Sequence, residues 1–379
     1  MGPKVLKKGE KFPLDENCHH YTKLNEVPWD IQKYWHQRFS IFEFYDYDIH
    51  LTDSAWFGVT PEPVATRIAR DLSTHPIAQG KRVLIDLFGG AGGNVIAFAL
   101  SSGRWDRVIA IEKDRSTLAC AQHNAEVYDV YDKITWVHGD CFEVMRRFWG
   151  VRLGKGTMSD GGPEEDKEEL DDLLAELKLE ECLVFASPPW GGVSYRDQEV
   201  FDLSKMEPYN LEQLYEACTM PEHEEEEKKK QVEQKEGGSA QAQTQILPQA
   251  LFLPRQSDLN QIAALVPDGA PKIDVVQYCQ KGASKALVAY LPGTIDAGGK
   301  EEKKRSEAKK QLSEEERGQK KRKQDDEQEQ AVPKLLPETT EEASVAYDAQ
   351  EDVDLYDTPK TDNAEKRKRK RRRRSSHNN

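Results

Sequence analysis

This sequence predicts a doubly wound, mainly parallel α/β sheet, and three observations carry the prediction. Short apolar runs recur at Val83 to Leu87, Val108 to Glu112, Ile134 to Val137, Leu183 to Ala186 and Leu251 to Pro254. Each has the length and the β-branched or aromatic content of a buried strand. Stretches of helical length separate most of them, the alternation that builds parallel strands with crossovers. A glycine-rich turn, Gly89-Gly90-Ala91-Gly92-Gly93-Asn94, follows the first run, and such sheets bind ligands at the carboxyl ends of their strands.

Taken in order, residues 1–28 read as a flexible lead-in. Residues 29–80 form a small helical segment rich in aromatics, in which Ile31, Tyr34, Trp35, Arg38 and Phe42 recur at the spacing of one short amphipathic helix. Most of these aromatics belong to packing. Thr60 followed by Pro61 predicts an N-cap and a first helical residue, with Val64, Ile68 and Leu72 on the buried face. Trp56 and Phe57 lie on the loop feeding that helix, where they can line a pocket. The sheet domain then spans residues 81–293. Helices are expected at Val95 to Leu100, Arg115 to Tyr128, Leu211 to Ala217 and Asp258 to Leu265. Ile273 to Cys279 and Ala286 to Leu291 close the sheet as an antiparallel hairpin. Two acidic inserts interrupt the domain, a surface insertion near 153–180 and a low-complexity stretch near 221–247. Residues 294–379 carry no periodicity and read as a disordered charged tail.

Charge is laid down in blocks. The net charge of −14 would argue against nucleic acid, but Lys366 to Arg374 is an unbroken basic run and Lys320 to Lys323 a smaller one. The long run reads as a nuclear localisation signal or a nucleic-acid-binding tail, so a nuclear location, the nucleolus included, is expected. Six cysteines without a CxxC pair fit reduced thiols. Cys18, His19 and His20 are adjacent, but no second ligand pair follows at metal spacing, so no metal is expected. Neither a bilayer-length apolar run nor a signal peptide is visible, and no membrane partner is expected. With no heptad or interface-like apolar patch, the chain reads as a monomer.

The chemistry is carried by four acceptors in a fixed order. A dinucleotide fingerprint would need a third glycine that the turn lacks, and Asp86 stands in the strand just before it. A carboxylate there repels a pyrophosphate and attracts an ammonium or sulfonium group. Glu112, ending the second strand, can accept from ribose hydroxyls, and Asp140, after the third, from an adenine amino group. With Gly89, Gly90, Gly92 and Asn94 of the turn, these residues describe a site for S-adenosylmethionine. The fourth strand runs into Ser187-Pro188-Pro189-Trp190. Prolines end a strand, fix φ and remove N–H donors, which leaves a rigid lip of acceptors beside an indole. That arrangement suits a planar base presenting an exocyclic amine.

The order DLFGGAGGN, EKD, GD and SPPW is similar to that of class I methyltransferases acting on a planar amino nitrogen. More narrowly, Lys33-Tyr34-Trp35 through Trp56-Phe57-Gly58-Val59-Thr60-Pro61-Glu62, Ser187 to Tyr195, and Phe252-Leu253-Pro254-Arg255 resemble the trimethylguanosine synthase family. The resemblance covers about 29–150 and 182–292. It implies a Rossmann-like class I methyltransferase sheet and two successive transfers to guanine N2 of a 7-methylguanosine cap on small nuclear and nucleolar RNAs. Trp190 would stack on the charged base, Ser187 and the Pro188 carbonyl would orient the amine, and Tyr195 and Arg255 would complete the cap site. Trp56, Phe57 and Thr60 join the cofactor side, because in the family the aromatic segment helps to close the site, and Ser187 is expected to touch the cofactor as well as the amine. RNP proteins and import factors are candidate partners of the tail. The rival readings are an adenine-N6 or protein-glutamine methyltransferase and an inactive RNA-binding adaptor.

Overall fold

The computed structural model describes residues 2–101, 103–154, 163–191, 198–221, 244–266, 272–280 and 282–295. All described elements belong to the unit Met1–Ala297; the second unit, Gly298–Asn379, lies outside the described residues. So do Tyr195, most of the second insert, and both basic clusters.

The strands are β1 Lys4–Val5, β2 Val83–Asp86, β3 Arg107–Glu112, β4 Ile134–His138, β5 Cys182–Ala186, β6 Gln249–Leu253, β7 Asp274–Gln280 and β8 Ala283–Leu291. They form one sheet in the order β1-β4-β3-β2-β5-β6-β8-β7. The five central strands are parallel; β8 and β7 follow as an antiparallel hairpin. This is the doubly wound sheet expected. Leu84, Val108 and Ala110 point into one apolar layer, and Val83, Ile85, Ile109 and Ile111 into the other. Burial on both faces explains why these strands read as unbroken apolar runs.

The described helices are α1 Gln32–Trp35, α2 Arg38–Ile41, α3 Ala55–Gly58, α4 Glu62–Thr74, α5 Gly93–Leu100, α6 Arg115–Val127, α7 Cys141–Arg152, α8 Glu164–Glu176, α9 Leu211–Ala217 and α10 Leu259–Ala263. Helices α4, α5 and α6 cover one face together with the N-terminal aromatics; α7, α8 and α9 cover the other.

Four local expectations are corrected. The lead-in is packed: β1 pairs with β4, Leu6 N–H donates to the Trp136 carbonyl at 2.9 Å, and Leu6 is buried. It covers an edge that would otherwise present unpaired backbone groups. The single helix expected from Ile31 to Phe42 is two separate turns, α1 and α2. Arg38 folds back, its guanidinium over the Trp35 ring and Nη1 donating to the Trp35 carbonyl. That carbonyl is one a continuous helix would use. Thr60 does not cap α4. Pro61 occupies that position, and the Thr60 hydroxyl is engaged elsewhere. Finally, the insert near 153–180 is anchored through α8, which buries Leu170 and Leu174. Arg147 of α7 is buried against it, Nη2 lying 2.9 Å from Asp171 Oδ1.

Candidate active site

Sheet order fixes the layout of the site. At the carboxyl ends of β4, β3, β2, β5 and β6 stand, in spatial sequence, Asp140, Glu112, Asp86, Ser187 and Arg255. Connections reverse direction between β2 and β5, and the crevice of an open α/β sheet lies at such a switch.

The turn after β2 is shaped by two glycines. Gly92 has φ 97° and caps α5; a Cβ there would lie 2.9 Å from Ile96 Cδ1. A Cβ on Gly93 would sit 3.1 Å from Val59 Cγ2 and 3.2 Å from the Thr60 carbonyl. Helix α5 therefore starts flat against the Val59-Thr60 segment. This close approach brings Asn94, itself buried, between two parts of the site. Its Nδ2 donates to Thr60 Oγ1 at 3.1 Å and to Ser187 Oγ at 3.3 Å. Ser187 Oγ in turn reaches the Phe88 carbonyl at 3.5 Å. Glycine turn, aromatic segment and proline lip are thus tied through one amide.

Asp86 is completely buried. Its Oδ1 accepts from Phe88 N–H at 3.1 Å, while Oδ2 has no hydrogen-bond partner among the described residues. Asn94 Oδ1 is in the same condition. Burial, with a smaller contribution from the Glu112 charge, pushes the Asp86 carboxyl up to about 7. Glu112 accepts from Gly90 N–H and Asp114 N–H, both at 2.9 Å, and burial raises its pKa as well. Two desolvated carboxylates, with Asp86 Oδ2 and Asn94 Oδ1 unpartnered among the described residues, form a wall of negative charge with acceptors to spare. The ammonium and sulfonium of S-adenosylmethionine fit that wall.

Asp140 is more constrained than the sequence suggested. Its Oδ1 caps α7 by accepting from Phe142 N–H at 2.9 Å, and its Oδ2 accepts a short hydrogen bond from the Tyr209 hydroxyl. Tyr209 stacks on Phe142 with ring centroids 3.9 Å apart. Sequence reasoning missed Tyr209, which stands 69 residues from its partner with no motif around it. Trp56 is core, 1% exposed and tilted against Tyr45, with its Nε1 unpartnered among the described residues. Phe57, by contrast, is exposed and meets Tyr34 edge-on at 5.5 Å.

On the other side of the switch, Pro188 is buried and Trp190 half-buried. The Trp190 indole lies nearly parallel to Phe252 of β6, 20° between planes and 5.7 Å between centroids. Phe252 fixes the plane of the indole, a support that was not foreseen. Arg255 is exposed in the turn after β6.

Comparison with known proteins bears on this site. Residues 81–294 match the family model described as RNA cap guanine-N2 methyltransferase. A trimethylguanosine synthase of Schizosaccharomyces pombe is 30% identical over 289 residues, 75% of this chain and 95% of that protein. A trimethylguanosine synthase of Saccharomyces cerevisiae is 28% identical over 234 residues, covering 61% of this chain and 56% of that protein. Among solved structures, an RNA methyltransferase from Salinibacter ruber in complex with S-adenosyl-L-homocysteine matches at 18% identity and a TM-score of 0.27, over 63% of this chain and 94% of that one. The N-terminal domain of human METTL16 in complex with SAH matches at 15% identity and a TM-score of 0.31, over 61% and 70%.

Proposed function

This chain belongs to the RNA cap guanine-N2 methyltransferase family, and from that premise we propose that it methylates N2 of a 7-methylguanosine cap twice, yielding 2,2,7-trimethylguanosine. The observation that carries this reading is the Asn94 amide, which couples the cofactor turn to Ser187 at the root of the Trp190 lip.

S-adenosylmethionine, bound along the carboxylate wall, supplies an electrophilic methyl group. Asp86 and the Asn94 side-chain oxygen Oδ1 would hold the ammonium, and Glu112 would accept from the ribose. The Trp190 face stacks on the base, and a positively charged 7-methylguanine is a better partner for an indole than neutral guanine. Ser187 and the Pro188 carbonyl then hold the N2 amine in line. That amine is conjugated with the ring, so alignment and exclusion of water contribute more than a strong base would. The exposed Phe57 would help to close the cofactor side, Arg255 would hold the cap phosphates by charge-assisted hydrogen bonds, and Tyr195, outside the described residues, is retained as a cap-site residue from the family resemblance alone. Among the described residues of the site, none favours the adenine, glutamine or adaptor readings.

Small nuclear and nucleolar RNAs are the proposed substrates, and the nucleus the proposed location, supported by the basic run Lys366 to Arg374. The tail is also the proposed contact for RNP proteins and import factors. The test of activity is methyl transfer from labelled S-adenosylmethionine to matched caps with and without the N7 methyl. Label only on the methylated cap, with products one and two methyls heavier, is expected; equal label on both would refute the charge-based selectivity. Deleting residues 298–379 should spare transfer to a cap dinucleotide and disperse the protein from the nucleus.

A further inference from the structure

A second cluster of ligating groups lies outside the cofactor crevice, where the loop before α3 meets α6. Asp48 follows the turn Tyr45–Tyr47 and adopts the left-handed conformation, φ 71°. Both its carbonyl and its carboxylate thereby face two imidazoles. His123 Nε2 lies 2.8 Å from the Asp48 carbonyl oxygen and 3.2 Å from Oδ2. His50 Nδ1 lies 3.0 Å from the same carbonyl and 3.7 Å from Oδ1. One ligand atom from each of the three residues can be chosen so that all lie within 4.8 Å of one another.

Two features make the cluster more than a chance meeting of polar groups. The first is its rigid mounting. Asn124, completely buried beside His123, accepts from His50 N–H at 2.9 Å and donates to the His50 carbonyl at 2.8 Å. The loop cannot leave α6 without breaking both bonds. The second is the crowding of imidazoles. His50 meets His123 edge to face at 4.8 Å, and the His20 ring lies 5.8 Å from it.

We propose that Asp48, His50 and His123 bind one divalent first-row transition ion, zinc foremost, which staples the N-terminal aromatic segment to α6. Two imidazoles and a carboxylate select zinc and its neighbours over magnesium or calcium, which prefer oxygen ligands. Binding places the ring protons on His50 Nε2 and His123 Nδ1 and draws the ligand atoms to about 2.0–2.2 Å from the ion, with water completing the tetrahedron. The staple would also reach the cofactor turn, because Asn124 Nδ2 donates to the Ala91 carbonyl at 3.0 Å. This proposal is independent of the cap reading and stands or falls separately.

The test titrates the chelator-stripped full chain with cobalt(II) chloride, followed by displacement with zinc chloride. One equivalent of cobalt should produce visible d–d absorption that zinc removes, and equimolar zinc should raise Tm. In the His50→Gln/His123→Gln double variant the cobalt affinity should fall at least tenfold and the Tm increment should vanish. Asp48→Asn, a residue that tolerates the left-handed conformation, should leave the metal-free circular dichroism unchanged while weakening cobalt binding. No saturable binding near one equivalent would overturn the proposal. So would binding that is undiminished in the double variant, since the ion would then be held elsewhere, for example at Cys18-His19-His20.

Discussion

The two halves of the crevice solve opposite electrostatic problems. The half built on β4, β3 and β2 presents Asp140, Glu112 and Asp86, and burial raises the pKa of the latter two. The half built on β5 and β6 presents Ser187, Pro188, the Trp190–Phe252 stack and the exposed Arg255. One wall is a set of acceptors whose charge is expensive until a cation arrives. The other presents an aromatic face, proposed to attract a cationic base, and needs no buried charge. Under the proposed function, cofactor binding is tuned by proton and charge balance, whereas base binding is tuned by ring geometry.

Removing the aromatic face should break the comparison most severely. Trp190→Ala is expected to lower kcat/KM for the methylated cap by about 100-fold or more, since stacking contributes roughly 1–3 kcal/mol and its cationic component adds to this. S-adenosylhomocysteine affinity, read by calorimetry, should stay within about twofold. A collapse of cofactor affinity would place Trp190 on the wrong half.

Asp86→Asn attacks the opposite wall. Loss of a charge-assisted pair should weaken S-adenosylhomocysteine by roughly 10–100-fold. The pH dependence has a definite sign. Only the ionised Asp86 pairs with an ammonium, so cofactor affinity should fall as pH drops through about 7, and the variant should lose that dependence. Stability of the cofactor-free protein runs the other way. The folded chain keeps a proton that the unfolded chain releases near pH 4, so this contribution to stability declines as pH rises toward 7. At pH 8 the variant should therefore melt higher than the parent while binding cofactor worse.

Asn94→Ala tests whether the halves are mechanically joined. It deletes the bonds to Thr60 and Ser187, each worth about 1 kcal/mol. About tenfold lower kcat, with smaller changes in cofactor and cap affinity, is the expected result. Equal losses in both affinities and none in kcat would mean that the amide holds the walls up separately.

Much of this was legible in the chain. Strands buried on both faces announce themselves as apolar runs, and Asp86, Glu112 and Ser187 stand where those runs end. The glycine turn was legible because Gly92 needs a positive φ. What the sequence hid depended on distant partners. Thr60 looked like a helix cap because its neighbours fit one, but Asn94 claims its hydroxyl. Trp56 looked like a pocket wall, yet Tyr45 and the core enclose it. The lead-in looked loose because two residues suffice to pair with β4, too few to leave a periodic signal. Phe252 was read as part of a strand, and its role as the platform beneath Trp190 emerges only when β5 and β6 lie side by side.

Tyr209 offers the finest test of the acceptor wall. Its hydroxyl satisfies Asp140 Oδ2, one of the atoms proposed to meet the adenine amine, while its ring packs on Phe142. Tyr209→Phe keeps the ring and removes only the hydroxyl. If adenine and Tyr209 share Asp140, the carboxylate gains a free lone pair, and S-adenosylhomocysteine should bind about two- to fivefold tighter. Sinefungin, which carries the same adenine, should shift by the same factor, whereas methionine, which lacks it, should not shift at all. A loss exceeding tenfold would instead make the hydroxyl a positioning group that aims Asp140 at the base, and Tyr209→Ala would then lose more still through the vacated Phe142 stack.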